Sequence, residues 1–198
     1  MFPLPDVVLF PGVPLPLRVF EPRYRALVKD ALTSNRTVGM ALLKPGYEAD
    51  YEGRPEIYPL GCAGTIVEDE RLDDGRYNIV LHGAQRFRVL DEQAGGAYRV
   101  ARVETLTETQ GDEASIDRLR DEVLRALGRL SEGSAVIVEG DVPASALVNA
   151  LCQGLELPAV EKLDLLACDS TESRARRLVA LLEFHRLEKN SGTSGSAH

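Results

Sequence analysis

A change of hydrophobic period near residue 107 constrains this 198-residue chain more than any other feature. Before it, apolar residues alternate or run in short blocks between Pro and Gly, which is the pattern of strands. After it, they recur every three to four residues, which is the pattern of amphipathic helices. Strands first and helices last define an α+β chain rather than a repeating βαβ one. Residues 1–107 read as a β-rich, closed or partly closed barrel, residues 108–189 as a helical bundle, and residues 190–198, rich in Gly and Ser, as a flexible tail. Aromatic residues are 6% and Trp is absent, so the core is aliphatic.

The expected strands are Val7–Phe10, Leu15–Phe20, Thr37–Lys44, Tyr58–Val67, Arg76–His82, Gln85–Leu90 and Tyr98–Leu106. Pro14 and Pro16 make the second an edge strand or an irregular one, because proline cannot donate to a ladder. Gly83-Ala84 reads as a bend, Asp73-Asp74-Gly75 as a hairpin turn and residues 45–56 as a loop. One early helix opens at Glu21-Pro22, with Tyr24, Leu27, Val28 and Ala31 as its buried stripe. In the second half, Ile116, Leu119, Val123, Leu127 and Leu130 share one helical face. Three further helices follow: Pro143–Gly154, Pro158–Cys168 (with Val160, Leu163, Leu165 and Leu166 apolar) and Ser170–Lys189. Ser170 or Thr171 caps the last, and its stripe is Leu178, Leu181, Leu182 and His185.

Charge and motifs exclude more than they include. The net charge is −8 and pI about 5.0, with 13 basic and 16 acidic groups in residues 1–110, so nucleic acid is a disfavoured partner. No apolar run approaches the ~18–20 residues of a membrane span, and the start lacks signal-peptide features. Three unpatterned cysteines, Cys62, Cys152 and Cys168, fit buried thiols in a reducing cytoplasm. None of the four lysines sits in a Walker A loop. No G-x-G-x-x-G, H-E-x-x-H, paired C-x-x-C or G-x-S-x-G occurs, so no cofactor, metal or catalytic residue is expected.

Two constellations carry some chemistry. Cys62 and His82 fall on neighbouring expected strands and would pair as nucleophile and base if they faced each other; apolar surroundings favour a structural role. Arg86 and Arg88 share an expected strand face, with Arg102 nearby. That stripe would meet phosphate or carboxylate, with ion pairs to Glu or Asp the favoured reading.

The run F-P-L-P-D-V-V-L-F-P-G-V-P-L-P-L-R-V-F-E-P-R-Y-R-A-L-V-K-D-A-L at 2–32 resembles the opening of the Lon protease amino-terminal, substrate-binding domain. The resemblance continues through V-G-M-A-L-L-K at 38–44, L-G-C-A-G-T-I-V-E at 60–68, D-G-R-Y-N-I-V-L-H-G-A-Q-R-F-R-V at 74–89 and Y-R-V-A-R-V-E at 98–104. It closes with E-K-L-D-L-L-A-C-D-S-T-E-S-R-A-R-R-L at 161–178. It implies a PUA-like pseudo-barrel followed by a helical bundle. It also implies a module that binds polypeptide segments or unfolded proteins in protein quality control, and self-association; homodimerisation through the helical bundle is a separate structural possibility. The ATPase and Ser–Lys protease parts of Lon are absent from these residues, so no enzyme activity is carried over. The alternatives are nucleic-acid binding, by analogy with other PUA-like folds, and small-molecule catalysis in a cleft between barrel and bundle.

The candidate binding residues are Phe20, Glu21, Arg23, Tyr24, Tyr47, Tyr51, Tyr58 and Arg86. Leu15–Glu21 and the 45–58 loop are expected to offer backbone groups and apolar pockets to an extended chain. Against that, Glu21 and Arg23 suit local ion pairs at the helix start, and Phe20 and Tyr24 suit packing in the barrel.

Overall fold

The computed structural model describes residues 1–109, 112–130 and 142–193. These form two compact units. One contains Met1–Thr107 together with Gln153–Ala167; the other contains Glu108–Cys152 and the chain from Cys168 onward.

The first unit is built on a six-stranded sheet: β1 (Phe2–Leu4), β2 (Pro14–Val19), β3 (Thr37–Leu43), β4 (Ile57–Arg71), β5 (Tyr77–Gln93) and β6 (Val100–Leu106). The order is β1-β3-β4-β5-β2, and β6 pairs with the later part of β5, Arg86–Gln93, beyond the Tyr77–His82 stretch that pairs with β2. Among the paired strands described, β1 and β3 run parallel and the other pairs antiparallel. Helix α1 (Pro22–Leu32) starts where Pro22 supplies a helical φ without needing its missing N–H. It buries Tyr24, Leu27, Val28 and Ala31, of which Leu27 and Val28 each contribute about 1.5–3 kcal/mol. Helix α4 (Ala159–Ala167) lies on β4 and buries Leu163, Leu165 and Leu166, so this helix belongs with the sheet and not with the other helices. Val160, expected on its apolar stripe, is exposed.

Val8, Leu9 and Phe10 of the Val7–Phe10 run are buried, but the run is not a strand; the strand lies earlier, at Phe2–Leu4. The reason is visible in the glycines beneath it. A Cβ on Gly83 would stand 2.0 Å from the Phe10 carbonyl oxygen, and one on Gly64 would stand 2.9 Å from Leu9 Cδ2. The segment therefore crosses over β4 and β5 where they carry no side chain, and packs instead of pairing. The Phe10 amide donates to Gln153 Oε1 at 3.0 Å. The expected bend at Gly83-Ala84 is likewise not a break. β5 runs through it, and the irregularity is a bulge with Ala84 as the extra residue, since the adjacent Ala63 and Gly64 of β4 register with Gln85 and Gly83.

The second unit holds α2 (Glu113–Leu130), α5 (Thr171–Thr193) and most of α3 (Ala144–Gly154). α2 packs along α5, burying Leu119, Val123 and Leu127 from one and Leu178, Leu181 and Leu182 from the other. Arg129 Nε donates to Glu183 across that pair at 2.8 Å. Ser170 Oγ accepts from the Ser173 amide at 3.1 Å, which caps α5. α5 extends to Thr193, past the Lys189 at which it was expected to stop. The rest of the expected tail, residues 194–198, lies outside the described residues.

Candidate functional site

The junction of β2 and α1 gathers five of the eight candidate residues. Glu21 occupies the cap position of α1 without making a side-chain cap. Its carboxylate turns aside instead. It accepts from Arg23 Nε at 2.9 Å and from the Tyr51 hydroxyl at 2.9 Å. Arg23 Nη1 donates to the Tyr51 carbonyl at 2.9 Å, and its guanidinium lies 4.7 Å from the Tyr24 ring centre and 5.0 Å from that of Tyr51. Tyr47 meets Tyr51 edge-on at 6.0 Å. The 45–56 loop is thereby fastened to the helix start by two hydrogen bonds and one cation–π contact, all through Tyr51, while the Glu21–Arg23 ion pair and the Arg23–Tyr24 contact brace the helix start itself. Arg54 ties the end of the same loop to the β5–β6 turn, donating to the carbonyls of Gln93 and Gly95 at 2.8 Å.

Phe20 stands beside this frame and is 61% exposed, so it does not pack in the barrel. Tyr24 does: it is 3% exposed, stacks on Phe2 at 4.1 Å and donates to the Pro3 carbonyl at 3.2 Å. Burial, with Glu21 and Tyr51 adding to it, pushes its hydroxyl up to about 12. Burial, then Glu21, raises Tyr51 as well. A raised tyrosine favours the neutral form in the folded state, so its contribution to stability is complete below the ordinary value near 10 and disappears as pH climbs toward 12. Ultraviolet titration should accordingly show one tyrosine ionising last, near pH 12, and Tyr24→Phe should remove that step alone.

Tyr58 and Arg86 lie elsewhere. Tyr58 is half-buried on β4, near the Lys44–Glu56 ion pair, where it adds weakly to the raised lysine pKa that Glu56 mainly causes. Arg86 is 2% exposed, and its guanidinium donates to the Leu166 carbonyl at 2.9 Å and the Thr107 carbonyl at 3.3 Å. Arg88, two residues on, is exposed and pairs with Glu104 at 3.7 Å. The pair is therefore no surface stripe: one arginine is inside and the other is rim. Cys62 is buried and registers opposite Arg86, whereas His82 is exposed and registers opposite Thr65. Three residues of strand, roughly 10 Å, and opposite environments separate them, which removes that nucleophile–base pair. Among the described residues no group of three or more His, Cys, Asp or Glu is placed to hold a metal ion. No described helix is long and apolar enough to cross a membrane.

β2 is an edge, and its prolines decide what the edge can do. Gly83 N donates to the Val13 carbonyl at 3.0 Å, so by alternation residues 15, 17 and 19 face β5 and residues 14, 16 and 18 face outward. Two of the three outward positions are prolines with no N–H. The Pro14 carbonyl is taken by Gln153 Nε2 at 2.9 Å. The edge expected to accept an extended chain is thus blunted against it, and Phe20 remains the exposed feature of this region.

The comparisons with known proteins agree on one family. The profile of the ATP-dependent protease La (LON) substrate-binding domain matches residues 1–183. The chain belongs to that family. Lon protease 2 of Myxococcus xanthus is 26% identical over 194 residues, covering 94% of this chain. Lon protease of Dictyoglomus thermophilum is 30% identical over 152 residues. The chain spans about a quarter of the length of the curated Lon proteases it matches, 23% of the first. A crystal structure of a Lon N-terminal domain protein from Xanthomonas campestris superposes with a TM-score of 0.65 at 27% identity, covering 90% of this chain and 95% of that one. The N-terminal domain of a Mycobacterium avium complex Lon protease gives 0.66 at 18% identity, a likeness of fold. The α+β, PUA-like architecture is that of the Lon N-terminal domain.

Proposed function

We propose that this chain is a non-catalytic module that binds exposed apolar segments of polypeptides in protein quality control, and that Phe20 is its principal contact. The carrying observation is a phenylalanine 61% exposed beside a fastened aromatic and charged frame. An exposed phenylalanine gains about 1.5–3 kcal/mol when a partner covers it. The frame presents it with little conformational entropy left to lose on binding. Tyr47 and Tyr51 of that frame serve as further amphipathic contacts, while Glu21 and Arg23 hold it in place. Family membership supports the polypeptide as ligand, and an odd number of cysteines without disulfide-framework spacing suits a reducing cytoplasm.

The test is titration of a permanently unfolded, reduced and carboxymethylated protein into this chain. Phe20→Ala should weaken binding by about tenfold or more, as truncation of a central aromatic contact does, with the melting temperature unchanged. Equal affinity for the wild type and the Phe20→Ala protein would remove Phe20 from the site. Absence of any binding at high micromolar concentration would remove the function.

A further inference from the structure

The geometry points to β6 as a dimerisation edge for a second copy of this chain. The sheet ends in three edge strands: β1 is three residues long, β2 carries Pro14 and Pro16, and β6 is seven residues, Val100–Leu106, without Pro or Gly. Within Val100–Thr105 the described residues supply no backbone hydrogen-bond partner besides β5, so the other row of peptide groups faces solvent. Residues 102–105 and Val100 are exposed, with Val100 at 38% and Val103 at 40%. A bare edge of that length selects an extended backbone as its occupant.

The side chains select which backbone. The strand reads Val-Ala-Arg-Val-Glu-Thr-Leu, and its charges are complementary about Val103. In an antiparallel pair with the two-fold axis at Val103, Arg102 of one protomer stands opposite Glu104 of its partner, and Glu104 opposite Arg102. Val103 meets Val103, and Val100 meets Leu106 at both ends. The pattern extends into the next strands, because Glu104 registers with Arg88 and Arg102 registers with Asp91. One face of the joined sheet then carries the row Arg88, Glu104, Arg102, Asp91, alternating in sign across the axis and repeated by symmetry. Val89, which registers with Val103, extends an apolar row on the other face. Opposite-charge and β-branched pairs directly across an antiparallel ladder are favourable, and like charges there are unfavourable. Such an isologous contact closes on itself and does not propagate. Seven residues form a small interface, so association is weak and governed by concentration.

Sedimentation equilibrium of the whole chain up to about 1 mM, the weak limit of specific association, reads the dimer directly. Arg102→Glu makes residues 102 and 104 both acidic, and Glu104→Arg makes both basic. Each variant alone should dimerise about tenfold or more weakly than wild type, and an equimolar mixture of the two should restore dimers, since each acidic position then faces a basic one. Neither change touches a buried group, so the mixture separates charge pairing from misfolding. In a Cys168→Ser background, Val103→Cys should crosslink to itself on oxidation, because residues directly opposite lie about 4.5–5.5 Å apart at Cα, within the span of a disulfide. A wild-type chain monomeric throughout, single variants that dimerise like wild type, or a mixture that stays monomeric would each overturn the proposal. So would protection of the β6 amides by the unfolded protein while the chain remains a monomer.

Discussion

Replacing Arg86 by alanine is expected to cost about 3–5 kcal/mol, the usual loss when a buried, hydrogen-bonded charge is removed. Its guanidinium is the donor that the Leu166 carbonyl at the end of α4 and the Thr107 carbonyl beyond β6 share. Alanine leaves both acceptors in the interior and opens a cavity, and each effect has its own cost. Against a total stability of about 5–15 kcal/mol this is a large fraction. A chain of this size should lose roughly 10 °C in melting temperature. Arg86→Lys keeps one donor and recovers part of the loss. Arg86 has the residue type of a binding group and the burial of a structural one, so a second measurement separates the roles. At a temperature where the variant remains folded, its affinity for the unfolded protein should match wild type within about twofold, a change too small for a lost contact. A tenfold loss of affinity in the folded variant would return Arg86 to the binding surface.

That outcome bears on how far the residues could be read before the structure was seen. Periodicity located α1 and its four buried residues, because a single amphipathic face leaves little choice. It misplaced the first strand, because an apolar run of four reads alike whether it pairs in a sheet or crosses over one. The signal that separates the cases lies far along the chain, in Gly64 and Gly83, whose missing side chains admit Leu9 and Phe10. The candidate site divides in the same way. Glu21, Arg23 and Tyr24 lie within four residues and found their places by local geometry. The partnership of Glu21 with Tyr51 spans 30 residues and follows from the loop's return, which no pattern encodes. Phe20 and Tyr24 looked alike as aromatics of one motif, and one is in solvent while the other is in the core. For Arg86 the sequence showed a charge on a strand. That α4 would come to lie on the sheet and offer it a carbonyl depended on contacts 80 residues away.

Arg174 makes the companion case in the second unit, and its loss is expected to be as severe. It is fully buried in the first turns of α5. Its Nη1 donates to Asn149 Oδ1 on α3 at 2.6 Å, and its Nη2 reaches the Glu108 carboxylate and, at 3.4 Å, the Cys168 carbonyl. One side chain thus joins three stretches that are distant in sequence and lie in the same unit. Arg174→Ala should cost about 3–5 kcal/mol, because a buried ion pair broken from one side leaves uncompensated polar groups. Glu108→Ala leaves the guanidinium without this carboxylate and should also destabilise. The double variant should then be less damaged than the sum of the two by about 0.5–3 kcal/mol, the coupling usual for groups in one network. Amide exchange tells where the loss falls. In Arg174→Ala the amides of α3 and α5 should exchange faster while those of β3 and β4 keep their protection, since the pairing of β3 and β4 draws on no residue of this network. Equal acceleration in β3 would mean that the two units unfold together, and the arginine that holds the helices would then also set the stability of the sheet that carries Phe20.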